Sequence, residues 1–227
     1  MSSSSSNDFN VKDEALAPTG IKNIAWAAEH MGALIAVQER FKKERPFDGI
    51  VVGIALHVTK ETAVLVDTLR AGGAEVVISS CNPLSTQDDV AAALAAAGVL
   101  VFAWKGETMD EYWANLRAVV TALAAAHEDG KQIATIDDGC DLVSLIHQEA
   151  PELLEHLLVG TEETTTGVIR LRAMEKNGVL KCPVIAVNDN RTKHLFDNYY
   201  GTGQSTLDGI IRATSTLIAG SRFVVDE

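Results

Sequence analysis

The feature that most constrains the fold is one apolar run, Ile50–Leu56. The run is short, it is rich in β-branched side chains, and no polar residue alternates within it. A half-exposed strand would alternate, whereas a strand of a parallel sheet is covered on both faces and reads as a continuous apolar segment. The run therefore predicts a central strand of a parallel sheet with helices packed on both of its faces.

Helical and strand patterns alternate along the rest of the chain. An amphipathic helical stretch ends at about Glu44, before the apolar run. After the run, the pattern predicts helices over 60–71, 88–97, 109–126, 142–149, 164–176 and 204–219, and strands over 75–79, 99–103, 131–136, 183–187 and 222–225. Such alternation indicates an α/β fold with an open, mostly parallel sheet of the Rossmann-like or flavodoxin-like kind. Folds of this kind bind their ligands at the carboxyl ends of the strands.

The composition limits the classes of partner. The chain has 227 residues, is 47% hydrophobic and carries a formal net charge of -12. It can bury a full core, and its electrostatic field repels phosphate backbones and anionic membranes, so we expect no nucleic acid and no membrane as partner. The sequence has no apolar run near the roughly 20 residues of a membrane span and no apolar signal core at its N-terminus, which favours a cytoplasmic protein.

The cysteines indicate a reducing compartment. Cys81, Cys140 and Cys182 are an odd number and form no CxxC pair. An odd count argues against a disulfide framework, and the absence of paired spacing argues against a zinc knuckle. We therefore expect free thiols and no metal site.

Polar residues follow four of the predicted strands. The clusters are 57–61, 79–88, 137–141 and 188–189. Each cluster alone has an ordinary explanation, since a residue such as Thr59 or Asp88 is commonly a helix cap. Because the carboxyl ends of parallel strands share one edge of the sheet, their convergence favours a pocket for a polar ligand.

Two further groups each have two interpretations. The segment Thr161–Gly167 opens a helix, where hydroxyls and free backbone N–H groups could bind an anion or a ribose, or could simply form an N-cap. Lys193 and Asp197 are four residues apart and could share one helix face, although such a pair is commonly a surface salt bridge. The residues alone leave both choices open.

Five strings of the sequence together are specific to one enzyme family. They are LHVTKETA at 56–63, SSCNPLSTQD at 79–88, FAWKGET at 102–108, EETTTG at 162–167, and the segment from ND at 188–189 to FDN at 196–198. In combination they resemble S-adenosyl-L-homocysteine hydrolases, from about Ile21 to Gly220.

The resemblance implies a redox-assisted reaction, the reversible hydrolysis of S-adenosyl-L-homocysteine to adenosine and L-homocysteine. In that family, NAD oxidises the ribose 3′-hydroxyl, which acidifies the C4′ proton and lets homocysteine leave from C5′. The cofactor supplies the hard chemical step while the protein positions it. The resemblance also implies a small nucleoside substrate and a homo-oligomer.

The resemblance also assigns roles to residues of the predicted edge. Thr59 and Glu61 would contact the adenine, and His57 would face the C5′ leaving group. Asp138 would be the C4′ base or its close partner, and Glu163 would bind ribose hydroxyls.

The remaining roles fall on later residues. Lys193 would take the proton of the 3′-hydroxyl, and Asp197 would hold Lys193. Asn188 and Asn198 would complete the polar lining of the substrate site. The resemblance matches Thr164, Thr165 and Thr166 to positions that touch NAD.

The expected organisation has three parts. Residues 1–20, which include a serine run, are expected to be a disordered tail. Residues 21–189 are expected to form a substrate-binding α/β domain. Residues 190–227 are expected to form hinge helices and the start of an NAD-binding domain. No strand of this chain leads into a GxGxxG turn, and Thr206 stands where Gly201 and Gly203 would need a third glycine. We therefore expect a substrate-binding part that is inactive alone. The alternatives are a non-catalytic adenosine-binding or regulatory subunit that pairs with full-length homologues, and an unrelated flavodoxin-like domain.

Overall fold

The computed structural model describes residues 9–224, which form two compact units, one up to Ile185 and one from Ala186. The strands are β1 (Asn10–Val11), β2 (Ile50–Ala55), β3 (Glu75–Ser79), β4 (Leu100–Ala103), β5 (Gln132–Asp137), β6 (Leu157–Glu162) and β7 (Val184–Ala186). The helices of the first unit are α1 (Ala17–Glu29), α2 (Gly32–Glu44), α3 (Lys60–Ala71), α4 (Asp88–Ala96), α5 (Met109–Glu128), α6 (Asp141–Glu149) and α7 (Thr165–Lys176). Short 3₁₀ turns cover Glu14–Leu16 and Pro151–Glu155.

The strands form one sheet in the order β1-β4-β3-β2-β5-β6-β7. β2 pairs in parallel with β3 on one side and with β5 on the other, and the pairs β3–β4, β1–β4 and β5–β6 are also parallel. Ala55 lies opposite both Ser79 and Asp137, so β2, β3 and β5 end at the same level. The predicted α/β fold with an open parallel sheet is confirmed.

The side chains of the apolar run pack on both faces of the sheet, as predicted. Val51 and Ala55 of β2 pack in one hydrophobic cluster with α5 and α6, while Val52 and Ile54 pack in a second cluster with α3 and α4. Full burial of a side chain such as Ile54 stabilises the fold by roughly 1.5–3 kcal/mol. β2 has no polar position because neither of its faces meets water.

Most predicted elements match the observed ones to within one or two residues, but β6 was not predicted. Its sequence, LLVGTE, contains Gly160 and ends in polar residues, so it has neither a continuous apolar run nor a clear alternation. A side chain at Gly160 would crowd the neighbouring strand, because an added Cβ would lie 3.0 Å from Thr135 Oγ1. Close strand packing therefore explains the glycine that weakens the strand pattern.

The structure differs from the expected disordered tail over residues 9–20. Asn10 pairs with Phe102 through the β1–β4 ladder, and α1 begins at Ala17 and packs against α4. Ala17 and Gly20 are buried, so small side chains let this helix approach the domain closely. Residues 1–8 lie outside the described part of the chain.

The second unit contains a 3₁₀ turn at Val187–Asp189, a π-helix at Lys193–Gly201, and α8 (Thr202–Thr214). The helix predicted over 204–219 ends earlier, because Ser215 has a left-handed backbone with φ of 53°. The strand predicted over 222–225 is not formed at Arg222–Val224, and Val225 lies outside the described residues.

Among residues 9–224, every helix is too short or too polar to cross a lipid bilayer.

Candidate functional site at the carboxyl edge of the sheet

The order of the strands creates a switch point between β2 and β5. The chain runs from β2 outward through β3 and β4, then returns through α5 to β5 on the other side of β2. Where the connections diverge in this way, a crevice opens beyond the carboxyl ends of the two strands, and ligands of doubly wound folds bind there. The residues that follow β2 and β5 therefore line the expected position for a ligand.

Three side chains meet at this crevice. His57 follows β2, Cys81 follows β3 and Asp138 follows β5. Asp138 Oδ2 lies 3.4 Å from His57 Nε2, and it accepts a hydrogen bond of 3.6 Å from Cys81 Sγ. The predicted convergence of the polar clusters at one edge is thus observed for these three residues.

A second hydrogen bond orients the His57 ring. Its Nδ1 lies 2.7 Å from Ser85 Oγ, in the loop between β3 and α4. Ser85 Oγ in turn donates to the backbone oxygen of Asn82 at 3.3 Å. The pairing between His57 and Ser85 was not predicted, because the two residues are 28 positions apart and only the loop conformation brings them together.

Buried Asp137 supports the loop that carries Asp138. Its two carboxylate oxygens accept from the backbone N–H of Asp138 at 3.0 Å and of Val143 at 2.9 Å. Burial raises the pKa of Asp137 to about 8, although these two N–H donors oppose the rise. The Asp138 N–H also donates to Ala55 O at 3.0 Å, so the end of β2 and the start of this loop are tied together.

A second buried carboxyl group, Glu162, joins the loops that follow β5 and β6. Its Oε1 accepts from the N–H of Gly139 at 2.8 Å and of Thr164 at 3.1 Å. Burial raises the pKa of Glu162. Position 167 must be glycine for this arrangement, since a Cβ at Gly167 would lie 2.2 Å from the Glu162 carboxyl group. This role of Glu162 was not predicted, because its only signal in the sequence is the glycine at the end of the EETTTG string.

Thr59 and Glu61 lie at the start of α3, on the same edge of the sheet. Thr59 is the N-cap, and its hydroxyl accepts from the Thr62 N–H at 3.4 Å. Glu61 is exposed in the first turn, 4.0 Å from Lys60 Nζ. The ordinary interpretation of Thr59 as a cap is confirmed, and its predicted contact with adenine stays a prediction.

The residues after β6 lie at the same edge. The Glu163 N–H donates to Asp137 O at 2.9 Å, which ties this segment to the end of β5. Thr164 is the N-cap residue of α7 and makes no side-chain capping bond, while Thr165 and Thr166 are exposed in the first helical turn. Hydroxyls and N–H groups at a helix N-terminus are donors that suit phosphate or ribose oxygens.

The other predicted site residues belong to the second unit. Lys193 begins the π-helix, and its Nζ donates to Asn188 Oδ1 at 2.8 Å. Asp197 and Asn198 are exposed in the same π-helix. An added Cβ at Gly201 would lie 2.4 Å from Asp197 Oδ1, so the carboxylate of Asp197 lies against that turn of helix.

A large cavity lies at the opposite edge of the sheet. It has a volume of about 960 Å³ and is lined by the amino ends of the strands, including Glu75, Leu100 and Lys131. None of the residues predicted to contact substrate or cofactor lines it. Because the described polar network is at the carboxyl edge, we assign the candidate site to that edge and not to this cavity.

The fold and this edge define a doubly wound α/β domain of the class that binds small ligands at its switch point. A family model described as S-adenosyl-L-homocysteine hydrolase matches residues 8–160 and 149–226. The chain belongs to this family, which confirms the resemblance of the five strings.

Curated relatives agree with the family model. A protein of Methanocaldococcus jannaschii described as S-inosyl-L-homocysteine hydrolase is 56% identical over 96% of this chain and 50% of its own length. Proteins described as adenosylhomocysteinase from Aquifex aeolicus and Saccharolobus solfataricus are 55% and 54% identical, with the same coverage. The chain thus spans about half the length of the curated relatives it matches.

Proposed function

We propose that this chain carries the substrate-binding part of an enzyme that reversibly hydrolyses S-adenosyl-L-homocysteine to adenosine and L-homocysteine. The observation that supports the proposal most strongly is the meeting of His57 and Asp138 at the switch point, 3.4 Å apart. In a doubly wound fold this is the position of the ligand, and the chain belongs to a family named for this reaction.

The side chains of the edge suit the parts of a nucleoside. Glu61 and the hydroxyl of Thr59, at the start of α3, would bind the base, and Glu163 would accept hydrogen bonds from ribose hydroxyls. His57 would lie beside C5′, where the thioether sulfur leaves. Asp138, next to His57, would be the C4′ base or its close partner, a role that requires it to lie within hydrogen-bond reach of the C4′ proton.

The family resemblance assigns the 3′-hydroxyl to Lys193 and residues near it in the chain. Lys193 would take its proton and Asp197 would orient Lys193, while Asn188 and Asn198 would complete the polar lining. The bond from Lys193 to Asn188 supports this assignment, since it fixes the position of Nζ.

NAD, when bound, would supply the reversible oxidation at C3′. The start of α7 fits such a cofactor, because Thr165 and Thr166 are exposed residues in its first turn, where a helix N-terminus favours phosphate oxygens. These threonines, with Thr164, would contribute part of the cofactor contacts.

The test is a comparison of turnover and binding. S-adenosyl-L-homocysteine turnover is measured with added NAD, and adenosine binding by calorimetry, for the chain and for Asp138→Asn. We expect adenosine binding by the chain. In a chain completed by an NAD-binding domain, we expect Asp138→Asn to abolish turnover with little loss of fold. Turnover of that completed Asp138→Asn variant at the unsubstituted rate would remove Asp138 from the mechanism, and absence of adenosine binding would contradict the proposal. Adenosine binding without turnover in the completed chain would favour the alternative of a non-catalytic subunit.

A second substrate, S-inosyl-L-homocysteine, deserves the same test because the Methanocaldococcus jannaschii relative is named for it. Adenine presents an amino group at position 6, whereas hypoxanthine presents an oxygen there. A carboxylate such as Glu61 accepts hydrogen bonds and so favours the amino group. Tighter binding of inosine than of adenosine would assign the chain to the inosyl substrate.

A further inference from the structure

Three side chains of different chemistry direct potential metal ligands into one small volume. The imidazole of His57, the thiol of Cys81 and the carboxylate of Asp138 each offer one ligand atom, and these atoms all lie within 4.8 Å of one another. Nitrogen, sulfur and oxygen from such groups are the ligands that Zn²⁺ takes in proteins.

The two distances from Asp138 Oδ2 to the other ligand atoms are close to those of a tetrahedral site. With metal bonds of about 2.0–2.3 Å, two ligands of a tetrahedral zinc ion lie about 3.3–3.6 Å apart. Asp138 Oδ2 lies 3.4 Å from His57 Nε2 and 3.6 Å from Cys81 Sγ. The ligand atoms of His57 and Cys81 lie within 4.8 Å of each other, so a cation bound to Asp138 Oδ2 has both of the other ligand atoms beside it.

The ring of His57 also has the support that metal-binding histidines have. Its other nitrogen, Nδ1, is bonded to Ser85 Oγ at 2.7 Å, which orients Nε2 toward Asp138. Metal-binding histidines almost always use their second nitrogen in this way, and loss of such an outer partner typically lowers metal affinity by about 10–100-fold. The backbone of Asp138 is held as well, because its N–H donates to Ala55 O at 3.0 Å.

A cation can reach this volume from solvent. The side chain of His57 is 48% exposed and that of Asp138 is 15% exposed. Three protein ligands also leave a fourth position open for water or another small molecule. The ligands come from three separate strand ends, which explains why no paired cysteine spacing signals the site in the sequence.

We propose that His57, Cys81 and Asp138 form a binding site for a divalent d-block cation, with Zn²⁺ the ion whose ligand preferences they fit best. Coordination replaces the thiol proton of Cys81, which passes to the buffer. If the proposed function holds, the cation and the nucleoside compete, because a cation bound to His57 and Asp138 excludes a nucleoside from the same two side chains.

The direct experiment measures the metal alone, without substrate. The chain is stripped with a chelator and titrated with Zn²⁺ against a colorimetric chelator, and with Co²⁺ to record the thiolate charge-transfer band. We expect one equivalent bound per chain, a Co²⁺ band that is lost in Cys81→Ser, and affinity reduced by more than about 100-fold in Cys81→Ser and Asp138→Asn. Ser85→Ala, which keeps all three ligands, is expected to lose about 10-fold.

Cys182→Ser is the matched control, because Cys182 is a buried free cysteine outside the trio. It is expected to keep the stoichiometry, the affinity and the Co²⁺ band. Circular dichroism of each variant separates loss of a ligand from loss of fold. Absence of binding by the unsubstituted chain, or unchanged affinity in folded Cys81→Ser and Asp138→Asn, would overturn the proposal. Since no nucleoside is present, this result is independent of whether the chain binds adenosine.

Discussion

At the scale of single residues, Glu107 shows how a buried carboxyl group couples stability to pH. Its Oε1 accepts from the Trp104 N–H at 3.1 Å and from Asn115 Nδ2 at 3.0 Å, while its Oε2 is buried and has no hydrogen-bond partner among the described residues. Burial raises its pKa. The folded chain therefore favours the protonated form of Glu107.

We predict that, as the pH rises, the unfolding free energy of Glu107→Gln decreases less than that of the unsubstituted chain. A group whose pKa is raised in the folded chain contributes its full stabilisation below its unfolded pKa, which is 4.5 for Glu107. That stabilisation is lost as the pH rises through the folded pKa. The slope from one such group is at most about 1.4 kcal/mol per pH unit. Urea unfolding from about pH 4 to about pH 8 measures the difference between variant and unsubstituted chain.

Glu111→Gln is the matched control with the opposite sign. Hydrogen bonds from the backbone N–H and the hydroxyl of Thr108 lower the pKa of Glu111, which is exposed. Its contribution is therefore present above the unfolded pKa and is lost as the pH falls. If both variants changed the pH dependence in the same direction, the account of Glu107 would be wrong.

The positions of individual residues were predictable where a strand end or one of the five strings marked them. They were less predictable where the position depends on a tertiary contact. His57 and Asp138 were predicted at one edge because each follows an apolar strand. Ser85 and Glu162 were not recognised as their supports, because those contacts depend on loop conformations that no local pattern encodes.

At the scale of elements, the contact between α1 and α4 depends on one glycine. A Cβ at Gly20 would lie 1.9 Å from the backbone oxygen of Asp89, so the helices can approach this closely only with glycine there. The same contact explains why the segment before Ile21 is ordered, contrary to the expectation from its polar composition.

We predict that Gly20→Ala destabilises the chain by about 1–3 kcal/mol, the usual cost of overpacking a close contact. The matched control is Gly32→Ala in α2, where an added Cβ meets no atom within 4 Å. That variant is expected to be neutral or more stable by up to about 1 kcal/mol, because alanine favours the helix. Equal effects of the two substitutions in urea unfolding would contradict the packing argument.

Element types were predictable where periodicity was strong. The helix predicted over 60–71 and the strand predicted over 75–79 coincide with α3 and β3. β6 was not predicted because Gly160 and its threonine neighbour interrupt the strand pattern. The end of α8 was predicted too late in the chain, because a left-handed residue, Ser215, ends the helix. Tertiary packing and backbone conformation decided these cases.

At the scale of the whole molecule, the sequence predicted the fold class and the edge that carries the polar residues. It could do so because a parallel sheet covered on both faces needs apolar strands, and because all strand ends of such a sheet point to one edge. The strand order was not predictable, since local patterns do not determine which strands pair. That order puts the switch point between His57 and Asp138.

The central claim is that a nucleoside binds at the carboxyl edge of the sheet, and ¹⁵N-labelled chain titrated with adenosine tests it most directly. The account predicts that amide signals of His57, Asp138 and Glu163 shift in a saturable manner. Signals of Leu100 and Lys131, beside the large cavity at the opposite edge, should stay unchanged. Saturable shifts confined to that cavity, or no saturable shifts at either edge, would contradict it.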